Sequence, residues 1–166
     1  RALRRAAAIV PAVLAGWLIH DIAQPPAGVA APIHFVDEAI ASHKALLVRD
    51  GPGVRDRAAA YDAEAIRRTI AIRMPRLPAD WRVLDARIFP SPIGPGAQLY
   101  IALPTGARVG LTAMRIDTPA GEHPRLDRRE DENVAYWEEG DTAFALVGQS
   151  PSPLLLSLAS RLSAEI

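Results

Sequence analysis

The residues best able to carry acid–base or metal chemistry in this chain are its four histidines, His20, His34, His43 and His123. No pair stands at the i, i+4 spacing of a helical metal site, and no acidic residue completes a ligand set around them. His43 falls on an apolar helical face and reads as a structural histidine whose ring finds a buried partner. His123 lies in a charged loop and reads as solvated. The run Glu130-Asp131-Glu132 lacks the glycine and alternating ligands of a calcium loop and reads as a solvated charge run. Ser91, Ser150, Ser152 and Ser157 have no G-x-S-x-G elbow, and Ser150 and Ser152 suit a helix start. Gly51-Pro52-Gly53 and Gly94-Pro95-Gly96 are turn sequences, because proline removes an amide that a phosphate cradle would need. With no cysteine there is no disulfide, thiol nucleophile or cysteine zinc site. Tyr136 and Trp137 point to opposite faces of a strand and offer a weak aromatic platform for a ligand. These residues assemble no catalytic constellation and call for no cofactor, so the expectation is a protein that is not an enzyme.

The elements that must position these residues follow from the pattern of apolar positions. Formal net charge is zero, from 19 basic and 19 acidic residues, which argues against a nucleic-acid surface. At 49% hydrophobic and 23% charged, the chain has a folding composition. Residues 34–48 predict a helix whose inner face is Phe35, Ala39, Ile40, His43, Leu46 and Leu47. Asp62 caps a second helix over residues 63–74, with Ala63, Ile66, Ile70 and Met74 inward. From residue 81 the period turns towards two. Strands are predicted at 81–89, at 98–103 with Leu99, Ile101 and Leu103 on one face, and at 108–116 with Val109, Leu111 and Ala113 inward. Residue Asp85 interrupts the apolar pattern of the first. Residues 117–132 read as a long polar loop. Two further strands follow at 133–137 and 142–148, and Ser152-Pro153 opens a last helix as cap and first position. The fold class is α+β, with about five antiparallel strands, two helices before them and one after, the helices on one face of the sheet.

Ahead of this domain stands the apolar run AAAIVPAVLAGWLI, residues 6–19, between Arg1, Arg4 and Arg5 and Asp21. Ala8, Ile9, Val10, Val13, Leu14, Trp17, Leu18 and Ile19 would form a short membrane span. Arginines can snorkel at its start and Trp17 suits the interfacial belt. The division is then residues 1–21 as transmembrane helix with a basic cytoplasmic flank, 22–31 as a linker punctuated by Pro25, Pro26 and Gly28, and 32–166 as an outer domain. A signal peptide cleaved near Val29-Ala30-Ala31 and a buried core helix are the competing readings of the same run. The chain does not begin with Met and is expected to continue towards its N-terminus.

The stretch VAYWEEGDTAFALVGQSPSPLLLSLASRL, from Val134, resembles the C-terminal end of bacterial membrane-bound anti-sigma factors of the extracytoplasmic-function class, with their Tyr-Trp hairpin, ALVG-like strand and Leu-rich helix. FVDEAIASHKALL is similar to the family's first outer helix with a central His. AEAIRRTIAIRMPRLPADWRVLDARIFP and QLYIALPTGARVGLTAMR are similar to its helix–break–strand segment and central hairpin. The resemblance implies a single-pass protein of the bacterial inner membrane, periplasmic from about residue 22. A sigma factor would be held by a cytoplasmic part that these residues do not include, a regulatory protease could cut near the linker, and no nucleic acid would be bound directly. The family's sigma-binding zinc motif has no counterpart at any position in this sequence.

Overall fold

A computed structural model describes residues 27–49, 60–92, 94–117, 123–129 and 131–166, with only the backbone described for 27–33 and 49. The elements run α1 (Ala27–Arg49), α2 (Ala63–Ile70), β1 (Arg82–Phe89), β2 (Gly96–Ala102), β3 (Arg108–Arg115), β4 (Arg125–Arg129), β5 (Glu132–Glu139), β6 (Thr142–Gly148) and α3 (Ser152–Ser163). The span residues Ala8, Ile9, Val10, Val13, Leu14, Trp17, Leu18 and Ile19 lie outside the described residues. Among the described residues no helix is long and apolar enough to cross a membrane.

The strands form one antiparallel sheet in the order β1-β2-β3-β6-β5-β4. The first three make a meander. The chain then crosses to the far edge, and the last three return so that β6 pairs with β3 at the centre. The sheet therefore has six strands where about five are predicted. The extra one is β4, drawn from the polar stretch 117–132. Its five residues have no apolar alternation to betray them, and pairing with β5 defines the strand.

Period-two geometry sends alternate side chains to opposite faces, and both faces are covered. On one face Val83, Ala97, Leu99, Ile101, Val109, Leu111, Ala113, Ala135, Trp137, Phe144 and Leu146 pack with Ile66 of α2 and Leu155, Ala159 and Leu162 of α3. On the other, Met114, Val134, Ala143, Ala145 and Val147 pack under Phe35, Val36, Ala39 and Ile40 of α1. The expectation that all helices share one face is thus corrected. The apolar stripe of α1 answers the even-numbered positions of β5 and the odd-numbered positions of β6, which point away from α3.

Three boundaries also move. The first helix starts at Ala27, ahead of the predicted residue 34 and inside the predicted linker. The second stops at Ile70, because Ala71 adopts a left-handed conformation (φ 58°) that closes it. This frees Ile72 and Met74 to enter the core from extended backbone. Asp62 caps α2 as expected, its carboxylate accepting from the Ala65 amide at 3.0 Å. Ser152 is not the cap of the last helix. That position is Pro151, and the Ser152 hydroxyl donates instead to Asn133 Oδ1 of β5 at 3.0 Å. The Asn133 amide in turn donates to Ser150 O, so the β6–α3 corner is tied to β5.

Candidate functional site

The chemistry-bearing residues that the fold brings together lie where α1 crosses the sheet. The helical period of Phe35, Val36, Ala39 and Ile40 carries His43 to the sheet, where it is 2% exposed. Space for its ring exists because β3 has Gly110 there: a Cβ on that residue would lie 2.5 Å from His43 Nδ1. Tyr100 of β2, register partner of Gly110, sets its ring 6.2 Å from the imidazole at 58°. Arg108 stacks its guanidinium 5.9 Å over the same Tyr100 ring.

Glu132, the first residue of β5, faces His43 from across the sheet. It is 3% exposed, and its Oε2 lies 4.0 Å from His43 Nε2. That distance is an ion-pair separation and too long for a hydrogen bond. Burial lowers the His43 pKa from 6.5 to about 4. Burial also raises the Glu132 carboxyl, against a hydrogen bond from Gln149 and the charge of Lys44, which lower it. Desolvation thus favours the neutral form of each group. His43 Nδ1 and Glu132 Oε2 make no hydrogen bond among the described residues.

A cleft of about 640 Å³ opens beside this pair, between the C-terminal turns of α1, the β2–β3 turn and the β6–α3 corner. His43 and Tyr100 reach its inner wall, and Arg108, Gln149 and Ser150 supply polar groups. Leu47 and Leu154, each 37% exposed, face it from α1 and α3. The chemistry available is recognition of a ligand with both polar and apolar parts.

His43 is buried, as its place on the apolar helical face predicts, but its Nδ1 finds no hydrogen-bond partner among the described residues; His123 is exposed. The reading of Glu132 as part of a solvated run is corrected: Glu132 has the parity of Val134 and Tyr136 and turns inward with them. That alternation was the available signal. No group of metal-ligating side chains occurs among the described residues. Tyr136 and Trp137 do take opposite faces. Trp137 stacks on Phe144 at 5.3 Å and 14° within the core, which removes it as a ligand platform. Arg108 and Gln149, which border the cleft, carried no sequence signal because their role follows only from tertiary placement.

No family model matches the sequence, and no curated protein matches it. A weak structural neighbour is found in the complex structure of Pseudomonas aeruginosa MucA/MucB, at a TM-score of 0.39 and 20% identity, covering 55% of this chain. The chain spans about a third, 32%, of that chain's length.

Proposed function

We propose that the chain is the membrane span and periplasmic domain of a non-enzymatic regulator of the anti-sigma type, anchored in the bacterial inner membrane. The observation that carries this reading is the stretch 133–162. Its resemblance to the family implies a Tyr-Trp hairpin, an ALVG strand and a Leu-rich helix, and these residues fold as the continuous unit β5, β6 and α3. The basic-flanked apolar run at residues 6–19 supports the membrane placement. A cytoplasmic part ahead of Arg1 would hold the sigma factor, and proteolysis near residues 22–32 would release it.

The test is retention. Expressed with whatever its reading frame encodes ahead of Arg1, the protein should sit in the membrane fraction and bring down a sigma factor. Recovery of no sigma factor would overturn the reading. Alkaline phosphatase fused after Ile166 should be active, and a fusion ahead of Arg1 inactive.

A second reading, an exported or membrane-tethered ligand-binding module, is favoured by one observation: the cleft beside His43 with Leu47 and Leu154 at its walls. A thermal-shift screen against periplasmic small molecules tests it. A shift abolished by Leu154→Glu supports this reading, and no shift with any ligand argues against it.

A further inference from the structure

The sheet ends in two edges that are treated differently. β1 bears a register shift between Val83 and Asp85, and such a bulge is a common means of spoiling an edge as a template. β4 pairs with β5 in unbroken register from Arg125↔Tyr136 to Arg129↔Glu132. Among the described residues no strand pairs with its outer side. Its pairing over Arg125–Arg129 is therefore regular.

Charge is the protection on β4. Its sequence RLDRR sets three arginines against one aspartate. Arg129 is engaged by Asp127 at 3.1 Å and by Asp37 of α1 at 3.9 Å. Arg125 and Arg128 make no ion pair among the described residues, and both are exposed. Leu126 between them is 40% exposed. A second copy is a poor occupant in the register centred on Asp127. Antiparallel self-pairing centred on Asp127 places Arg125 opposite Arg129, and like charges directly opposite repel. The charges that repel another basic edge would attract an acidic one, so the same residues that discourage pairing with like edges can select a partner.

We propose that β4 is a docking edge for an extended acidic segment of a partner protein, added as a seventh antiparallel strand. The backbone ladder supplies binding. Carboxylates opposite Arg125 and Arg128, and an apolar side chain opposite Leu126, supply selection. The inference does not rest on the sigma-factor reading, since it concerns only the outer domain.

The test uses the 166-residue chain in a neutral detergent and the capped peptide Thr-Thr-Glu-Thr-Val-Glu-Thr, whose glutamates match that register. Titration should perturb the backbone amide resonances of Arg125–Arg129 and slow the exchange of the outward-facing ones. The Arg125→Glu/Arg128→Glu variant should bind about tenfold more weakly or worse, because two attractive cross-strand pairs become repulsive. Exchanging the peptide's glutamates for lysines should abolish binding, and methylating alternate backbone nitrogens should weaken it as strongly. Equal binding of the methylated peptide would reduce the effect to simple charge attraction and overturn the strand addition. Undiminished binding by the charge-reversed variant, or perturbations centred elsewhere, would overturn the site. Binding to anionic phosphatidylglycerol vesicles through these arginines, without a peptide response, would assign the edge to a membrane surface instead.

Discussion

His43 is held against the sheet by the absence of one carbon atom. Gly110 leaves the imidazole its place, and Gly110→Ala would put a Cβ 2.5 Å from Nδ1. The ring is packed against Tyr100 and cannot swing aside as a flexible chain end would. The substitution should destabilise by about 1–3 kcal/mol, the usual range for overpacking. Adding His43→Ala should recover part of that loss, and a double-mutant cycle by chemical denaturation measures the coupling. Protonation gives a second prediction. The His43 pKa is lowered in the folded state, so the unfolded chain binds the extra proton first. Its contribution is intact above pH 6.5, shrinks as pH falls towards about 4, and is lost below that, a span worth roughly 3 kcal/mol at most. Glu132 acts in the opposite sense: its raised pKa gives stability at low pH that is lost as pH rises through the folded value. In a Glu132→Gln background the acid-side loss should remain, and adding His43→Gln should flatten it. Denaturation midpoints between pH 7.5 and 4.5 decide this. That His43 is buried was legible from its place in the period of Phe35, Ala39 and Ile40. The partners were not, because Gly110, Tyr100 and Glu132 come from three strands remote in sequence.

At the scale of elements, local chemistry set some boundaries and tertiary packing set others. The cap at Asp62 is local and could be read directly: Asp62→Ala should cost about 1 kcal/mol, the usual value for such a cap. The end of α2 is not local. Alanine is a strong helix former, yet Ala71 turns left-handed so that Ile72 and Met74 can reach the core. Only glycine takes that conformation freely. Ala71→Gly should therefore stabilise the fold by roughly 1 kcal/mol, read as a rise in melting temperature. The edge strand β4 was illegible for a related reason. RLDRR has neither β-branched residues nor alternation, and strand preference is largely a matter of neighbours. The strands β2, β3 and β6 lie in the middle of the sheet with apolar runs on one or both faces, and their placement followed from pattern alone. The register shift in β1 falls between Val83 and Asp85, beside the residue where the apolar pattern breaks.

Among the described residues, the fold is a sheet between two unequal layers. Beneath α2 and α3 the contact is almost entirely apolar, from Trp81 through Trp137 to Leu162. Beneath α1 apolar packing is concentrated around Phe35, Val36, Ala39 and Ile40, and the layer also contains Ser42, His43, Gln98, Thr112 and Glu132. Arg87 joins Gln98 Oε1 at 2.5 Å and reaches Ser42 O at 3.4 Å. Of the six buried side-chain atoms without a hydrogen-bond partner among the described residues, four, His43 Nδ1, Gln98 Nε2, Thr112 Oγ1 and Glu132 Oε2, belong to this layer, and two, Tyr61 Oη and Trp137 Nε1, to the layer opposite. Each such atom costs about 1–3 kcal/mol when it is left dry. The α1 layer thus gains less from burial than the layer opposite, and cooperative units open in order of such differences. Native-state hydrogen exchange should show the α1 amides opening at a lower free energy than those of β3 and β6. Thr112→Val, which removes one orphaned hydroxyl while keeping its shape, should narrow the gap by raising the α1 value. Equal protection of α1 and the central strands would show that helix and sheet open as one unit, and the uneven layers would then have no dynamic consequence.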